Sequence, residues 1–398
     1  MIKVTSVLAL AALALGLSTA SFAANKTYGV TNDDNPSTGA NTATVFTYGP
    51  GGTVVVFKTL KAGGSGLGGG YFAAPRNAIE QNASCVFVAN VASSSIAAFA
   101  KATGFAAAPG SPFAAAGSDN SDYEGMGLSA SADGKYLYVA YSGSDSLGSY
   151  SIAASCALTP ISSNVAAGDA VSPLEINSAG TALVVSELNN QYLDSYAVAA
   201  GAIGTQTSHQ STSSCGYPGG VDITEGGSVV TGEATLSQTY CTAKLTGSTL
   251  SAVAGNTVST TCSGIGNIES PVFNKAAYTG ASGGLVFLGA SGYGGGGSFY
   301  DAGFTINPVS TGGVITATAN TCVDAYTGNT SYLYGTNPGV STVGSDTAVW
   351  QSYATSSVTN IVTLYKVVGN TITKYGSVSD PNANGTSYVL SISSYPGR

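Results

Sequence analysis

The stretch Leu128–Ile152, LSASADGKYLYVAYSGSDSLGSYSI, decides the fold of this chain. It holds three short runs with strand character: a small alternating run, the aromatic and β-branched run YLYVAY, and the alternating run LGSYSI. The dipeptide Asp133-Gly134 separates the first two runs and is a preferred hairpin turn. The stretch therefore predicts a β-meander of three antiparallel strands.

A second copy of this pattern lies at Pro173–Val198, PLEINSAGTALVVSELNNQYLDSYAV. Its turn glycine, Gly180, comes 46 residues after Gly134. A period in the forties is typical of four-stranded repeats such as propeller blades. We name the strands of each repeat A, B, C and D. Further copies open with A strands near Arg76, Pro218, Pro271 and Pro338.

The two ends of the chain each carry part of one repeat. The first repeat reads as strands B, C and D at 27–34, 42–49 and 53–60, with no A strand before them. The last twelve residues, SYVLSISSYPGR, read as an A strand. We therefore predict an all-β, seven-bladed β-propeller of four-stranded antiparallel blades, the first closed by both termini, because this pairing removes an open sheet edge. A two-sheet sandwich is the alternative, and it does not explain a partial repeat at each end.

Residues 1–23 are predicted to be a secretory signal peptide, since Lys3 precedes the apolar run Val7–Leu17 and small residues flank a cleavage site at Ala23. Residues 24–398 then form a single propeller domain, secreted or periplasmic, with no apolar run long enough to span a membrane. The six cysteines favour disulfides in an exported chain, and their 15 possible pairings stay open.

The composition excludes some partners. With 12 Lys+Arg against 20 Asp+Glu and a net charge of −8, the chain lacks the basic patch that nucleic acid requires. It has one His and no CxxC, which predicts no zinc site. A calcium ion bound by several carboxylates stays an alternative, although no EF-hand-like spacing supports it. We predict no metal, no cofactor, and a monomer with a small-molecule, protein or glycan ligand.

The repeat SADGKYLYVAYSGSDSLGSYSI resembles the YVTN-type repeat of the seven-bladed lactonase-like β-propellers, which include 6-phosphogluconolactonase-like proteins. CVFVANVASSSIAAFA is another copy. Members of that family carry a Gly-Pro-Arg-His segment, which reads Ala-Pro-Arg-Asn at 74–77 here and keeps Arg76. Their Asn-Glu-Leu motif is matched at 186–188, which keeps Glu187. The resemblance implies lactone hydrolysis as a possible activity, with Asn77 in place of the family's His.

A ligand site is predicted at the mouth of the central channel, because A-strand starts and B-strand ends meet on one face of a propeller ring. The A-strand starts and B-strand ends bring the following residues to that face: Arg76, Asn90, Glu124, Tyr141, Glu187, Tyr217, Glu233 and Glu269. In a hydrolase, Arg76 would bind a carbonyl or anionic oxygen, and Glu187 or Glu269 would act as general base. The alternative is that these charges pair with one another or face water.

Two further residues stand out for their chemistry. His209 is placed in a polar D–A loop and is predicted to be solvated there. Trp350 falls at a B-strand position that the repeat buries, which favours core packing over ligand stacking.

The sequence leaves three hypotheses for the function. The primary hypothesis is an exported, non-catalytic binding or scaffold protein, because no complete catalytic constellation is visible. The alternative is a lactonase-like hydrolase of a sugar lactone or related small molecule, and a cell-surface assembly protein is a third, weaker hypothesis.

Overall fold

The structure is a computed structural model. It describes residues 27–68, 78–117, 125–169, 171–224, 226–233, 239–257, 267–274, 282–291, 302–310, 314–315, 321–326, 334–335, 338–343, 346–354, 359–368, 371–384 and 391–395. The predicted leader, residues 1–23, lies outside them. The described chain is built from β-strands, and none of its helices is long and apolar enough to cross a membrane.

The strands form seven antiparallel sheets, as the repeat predicts. The first blade comprises β1 (Tyr28–Asn32), β2 (Thr42–Tyr48) and β3 (Val54–Lys61) with β31 (Ser391–Tyr395). The second blade comprises β4 (Ile79–Gln81), β5 (Cys85–Asn90), β6 (Ser95–Ala100), β7 (Ala106–Ala107) and β8 (Phe113–Ala114). The third blade comprises β9 (Met126–Ala130), β10 (Tyr136–Tyr141), β11 (Ser146–Ile152) and β12 (Leu158–Ala166), and the fourth comprises β13 (Val171–Ile176), β14 (Ala182–Glu187), β15 (Tyr192–Ala199) and β16 (Ala202–Ser211).

The last three blades follow the same plan. The fifth blade comprises β17 (Pro218–Ile223), β18 (Ser228–Glu233), β19 (Thr239–Thr246), β20 (Thr249–Leu250) and β21 (Ala254–Thr257). The sixth blade comprises β22 (Asn267–Asn274), β23 (Ser282–Ser291), β24 (Ala302–Ser310) and β25 (Thr321–Tyr326). The seventh blade comprises β26 (Tyr334–Gly335), β27 (Gly339–Val343), β28 (Asp346–Ala354), β29 (Thr359–Val368) and β30 (Thr371–Asn384).

The two ends of the chain close the first blade, and this confirms the predicted seven-bladed propeller. Strand β31 pairs antiparallel with β1, from Tyr28 opposite Tyr395 to Asn32 opposite Ser391. The innermost strands contact one another around the ring, from β31 through β4, β9, β13, β17, β22 and β27 back to β31. The last strand therefore fills the edge that the first repeat leaves open.

The turn glycines explain why the repeat is visible in the sequence. Gly134 and Gly180 have φ of 70° and 68°, a left-handed conformation that glycine adopts without steric cost. Each donates its N–H to the carbonyl three residues earlier, at 2.8 and 2.9 Å. Equivalent A–B turns thus set equivalent strand registers in the third and fourth blades.

The hydrophobic core lies between neighbouring blades. In the crevice between the third and fourth blades, for example, Tyr138 and Leu147 pack with Val185 and Tyr196. Trp350 is fully buried where the seventh blade meets the first, as predicted. Face-to-face packing of twisted sheets therefore holds the ring together.

Two disulfides add covalent links. Cys85 pairs with Cys156 and joins the second blade to the third, and Cys215 pairs with Cys241 within the fifth blade. Such bonds persist in oxidising compartments, so the pairs are consistent with an extracytoplasmic protein. Cys262 and the side chain of Cys322 lie outside the described part of the chain.

Candidate functional site

The predicted ligand-binding residues that the structure describes lie near the starts of A strands and the ends of B strands. Asn90, Tyr141, Glu187 and Glu233 are the last residues of β5, β10, β14 and β18. Tyr217 directly precedes β17 and is 38% exposed. Arg76 and Glu124 lie outside the described residues, as do the side chains of Glu233 and Glu269. Their roles stay predictions.

Asn90 and Tyr141 are fully buried in the described structure. Asn90 donates to the carbonyl of Ala62 at 3.2 Å and accepts from Asn41 at 3.0 Å, which joins the second blade to the first. The Tyr141 hydroxyl lies 2.9 Å from that of Tyr150. These contacts give both side chains a part in holding blades and strands together.

Replacing Tyr141 with Phe should lower the free energy of unfolding by about 1 kcal/mol, because the variant loses a buried hydrogen bond and keeps the ring packing. Urea unfolding of the two proteins measures the difference. Tyr136→Phe, at the half-buried first residue of the same strand, is the control and should change stability less. Equal stability of wild type and Tyr141→Phe would contradict the expectation.

Glu187 lies at the centre of a titratable cluster that also contains Asp194 and His209. The three come from β14, β15 and β16, neighbouring strands of the fourth blade. Asp194 is directly opposite His209, and Val185 is directly opposite Asp194, which puts Glu187 on the adjacent diagonal. Side chains at such positions share one face of a sheet and meet.

The distances within this cluster are short. His209 Nδ1 lies 2.7 Å from Asp194 Oδ1 and 3.6 Å from Glu187 Oε1. The two carboxyl side chains are 1% and 2% exposed, whereas the imidazole is 49% exposed. Solvent therefore reaches the cluster through the histidine.

Neighbouring groups hold the outer side of the cluster. Asn190 Nδ2 donates to Glu187 Oε2 at 3.4 Å, and the Tyr196 hydroxyl donates to Asp194 Oδ2 at 3.4 Å. The Tyr192 ring stacks on the imidazole, with ring centroids 3.8 Å apart and planes inclined by 19°. Oxygens Oε1 of Glu187 and Oδ1 of Asp194 are left facing Nδ1 of His209.

The carboxyl of Glu187 is strongly perturbed. Burial, with the neighbouring Asp194 carboxyl as the second cause, raises its pKa to about 8, while the Asn190 amide opposes the shift. Gly168, which lies between β12 and β13, passes directly over it: a Cβ on this glycine would lie 1.8 Å from Glu187 Cδ. The cluster thus occupies the crevice between the third and fourth blades, beneath the segment 167–169.

The structure corrects the expected position of His209. It lies in strand β16, the outermost strand of the fourth blade, and not in a D–A loop. The cluster is formed by the three outer strands of the blade, whereas the sequence predicts a site at the mouth of the central channel, which the innermost strands line. Asp194 was not among the predicted residues. The alternation of β-branched and polar residues in Gly204–Ser211, GTQTSHQS, is the signal that indicates a strand there.

Comparisons with known proteins bear on the fold. No protein-family model matches the chain, and no curated protein matches it by sequence. A candidate 6-phosphogluconolactonase of Bacteroides fragilis is similar with a TM-score of 0.54 and 13% identity, over 89% of this chain and 98% of that one. A Lactobacillus plantarum protein is similar with a TM-score of 0.54 and 13% identity, over 89% and 99%.

A protein of unknown function from Desulfotomaculum acetoxidans is similar with a TM-score of 0.52 and 11% identity, over 92% of this chain and 98% of that one. At such identities the similarity is one of fold. The resemblance to lactonase-like β-propellers read from the repeats is upheld at that level.

Proposed function

We propose that this chain hydrolyses a lactone or a related small ester, and that the attacking water is activated at the cluster of Glu187, Asp194 and His209. The observation that carries the proposal is the convergence of these three side chains, two of them buried, around a half-exposed imidazole. The likeness of the fold to a candidate 6-phosphogluconolactonase supports the choice of a lactone.

Lactone hydrolysis makes two demands on a site. A water oxygen attacks the carbonyl carbon and loses one proton, and the ring oxygen gains one proton as its bond to that carbon breaks. The product is one hydroxy acid, so protons balance. Titratable groups held within hydrogen-bonding distance of one another can serve both transfers, and the exposed edge of the imidazole leaves room for a small substrate.

We place this activity outside the cytoplasm. The two disulfides and the predicted leader at residues 1–23 support that location.

The test is hydrolysis of a panel of sugar and aliphatic lactones by the purified protein. We expect His209→Gln and Asp194→Asn each to lower turnover by about 100-fold or more, as removal of a proton-transferring group does. The control is Asp133→Asn, at an exposed turn where the carboxylate pairs with Lys135. Absence of turnover above buffer on every lactone would overturn the proposal and favour the non-catalytic binding role.

A further inference from the structure

We infer that Glu187, Asp194 and His209 bind a first-row divalent transition-metal cation such as Zn²⁺ or Mn²⁺. This deepens the proposed function, because it names the group that would activate water at the same cluster. Cation binding itself depends on the three side chains and their surroundings, and not on the proposed hydrolysis. It differs from the sequence prediction, in which no metal site is present.

The donor atoms already have the spacing of ligands around one ion. His209 Nδ1, a carboxylate oxygen of Asp194 and one of Glu187 all lie within 4.8 Å of one another. Ligand atoms bound at about 2.0–2.2 Å from a Zn²⁺ ion are separated from one another by roughly 3 Å. Small rotations of the buried side chains are therefore enough to surround a cation.

An independent observation points to a missing ligand. Oε1 of Glu187 is buried and has no hydrogen-bond partner among the described residues, and it lies 3.6 Å from His209 Nδ1. Buried polar atoms are almost always partnered, since leaving one unpaired is costly. A cation between Oε1 and Nδ1 would satisfy this oxygen.

The neighbouring groups are those that orient metal ligands. Asn190 and Tyr196 hold the outer oxygen of each carboxylate, and so direct the inner oxygens to the centre of the cluster. Tyr192 fixes the plane of the imidazole by stacking. Partners of this kind set ligand geometry in metal proteins.

The donor set indicates the class of cation. Two carboxylates neutralise a divalent charge. An imidazole nitrogen favours Zn²⁺ over Ca²⁺ and Mg²⁺, which prefer oxygen, and the carboxylate oxygens also suit Mn²⁺. Three protein ligands leave coordination positions for water, as in catalytic zinc sites. Water on such an ion loses its proton near neutral pH and can attack a lactone carbonyl.

The test is calorimetric titration of the tag-free, chelator-treated protein with Zn²⁺ and Mn²⁺, with Ca²⁺ and Mg²⁺ as comparators. We expect one equivalent of Zn²⁺ or Mn²⁺ to bind. Affinity should fall by about 100-fold or more in His209→Gln, Asp194→Asn and Glu187→Gln, and stay unchanged in Asp133→Asn. A rise in the thermal unfolding midpoint on adding the cation, in wild type and the control but not in the three variants, checks the same binding. A cooperative unfolding transition in each variant shows that it is folded.

The outcomes separate the two proposals. Failure of the folded wild type to bind Zn²⁺ or Mn²⁺, or equal binding by all three variants, would overturn the metal site. Lactone turnover that survives the chelator would overturn the part of the cation in activating water and leave hydrolysis in place, with the imidazole as base. Cation binding without turnover on any lactone would keep the metal site and overturn the hydrolase.

Discussion

The free energy of unfolding of this protein should fall as the pH rises above about 4, and replacing Asp380 with Asn should remove part of that fall. The reason is a buried pair of carboxyl groups where the first and last blades meet. Asp33 follows β1 and is fully buried, and Asp380 lies in β30 and is 4% exposed. Two adjacent buried carboxyls resist double ionisation.

The hydrogen bonds around this pair require a shared proton. The Thr31 hydroxyl lies 2.7 Å from Asp33 Oδ1 and 3.0 Å from Asp380 Oδ2. The Thr44 hydroxyl lies 2.8 Å from Asp33 Oδ2 and 3.2 Å from Asp380 Oδ1. Each hydroxyl has one proton and cannot donate to both carboxyls. A proton on one carboxyl lets it donate in turn and completes the network.

The sign of the pH effect follows from the pKa values. Burial, with the charge of Asp380 as the second cause, raises the pKa of Asp33 well above 3.8, and burial also raises that of Asp380. The folded chain therefore retains a proton that the unfolded chain releases. The stability from this pair is complete below pH 4 and is lost as the pH rises, by about 1.4 kcal/mol per pH unit for one retained proton.

Urea unfolding between about pH 4.5 and 8 measures this slope. Asp380→Asn keeps the shape of the side chain and supplies an N–H donor to Asp33, so its slope should be shallower. The double variant with Asp33→Asn should be shallower still, and the slope that remains comes from Glu187, whose pKa is also raised. The control is Asp133→Asn. A hydrogen bond from Ser131 lowers the pKa of Asp133, so its contribution is lost only toward acid pH. A wild-type slope in the double variant would contradict this account.

The ring closure was predictable from the sequence because its determinants are local. Gly134 and Gly180 mark repeated turns. In the strands between them, residues two positions apart lie on the same face of the sheet, so the alternation of residue types shows within a few positions. The partial repeats at the two ends then leave one arrangement that closes the ring. Trp350 was predictable for the same reason: its place in the repeat puts it in the core, against Gly29 of the first blade.

The Glu187 cluster was only partly predictable because it depends on register between strands. Glu187 was found through a family motif, but its meeting with His209 requires that Asp194 pair opposite the histidine across β15 and β16. That pair of strands has two register shifts, at Ser195/Tyr196 and Tyr196/Val198. Hydrophobic patterning does not specify such shifts, and the mostly exposed, polar β16 resembles a loop in sequence.

Gly168→Ala should weaken the binding of Zn²⁺ or Mn²⁺ and lower lactone turnover, each by about 100-fold, although Gly168 offers no side chain to either. A Cβ at this position would lie 1.8, 1.9 and 2.1 Å from Cδ, Oε1 and Oε2 of Glu187. Atoms do not approach so closely, so the carboxylate must move. The crevice between the blades is packed, and the displaced oxygen Oε1 can then no longer face His209.

A control substitution at another glycine and a double-mutant cycle test this expectation. Gly49→Ala is the control, because Gly49 has φ of −95° and the nearest atom to its Cβ would be the Thr53 oxygen at 3.9 Å. In a Glu187→Ala background, Gly168→Ala should cause no further loss of cation affinity, since residues acting through one contact are not additive. An equal loss in both backgrounds would show that Gly168 acts elsewhere. Non-additivity would instead establish that the backbone segment between the third and fourth blades positions the carboxylate of Glu187.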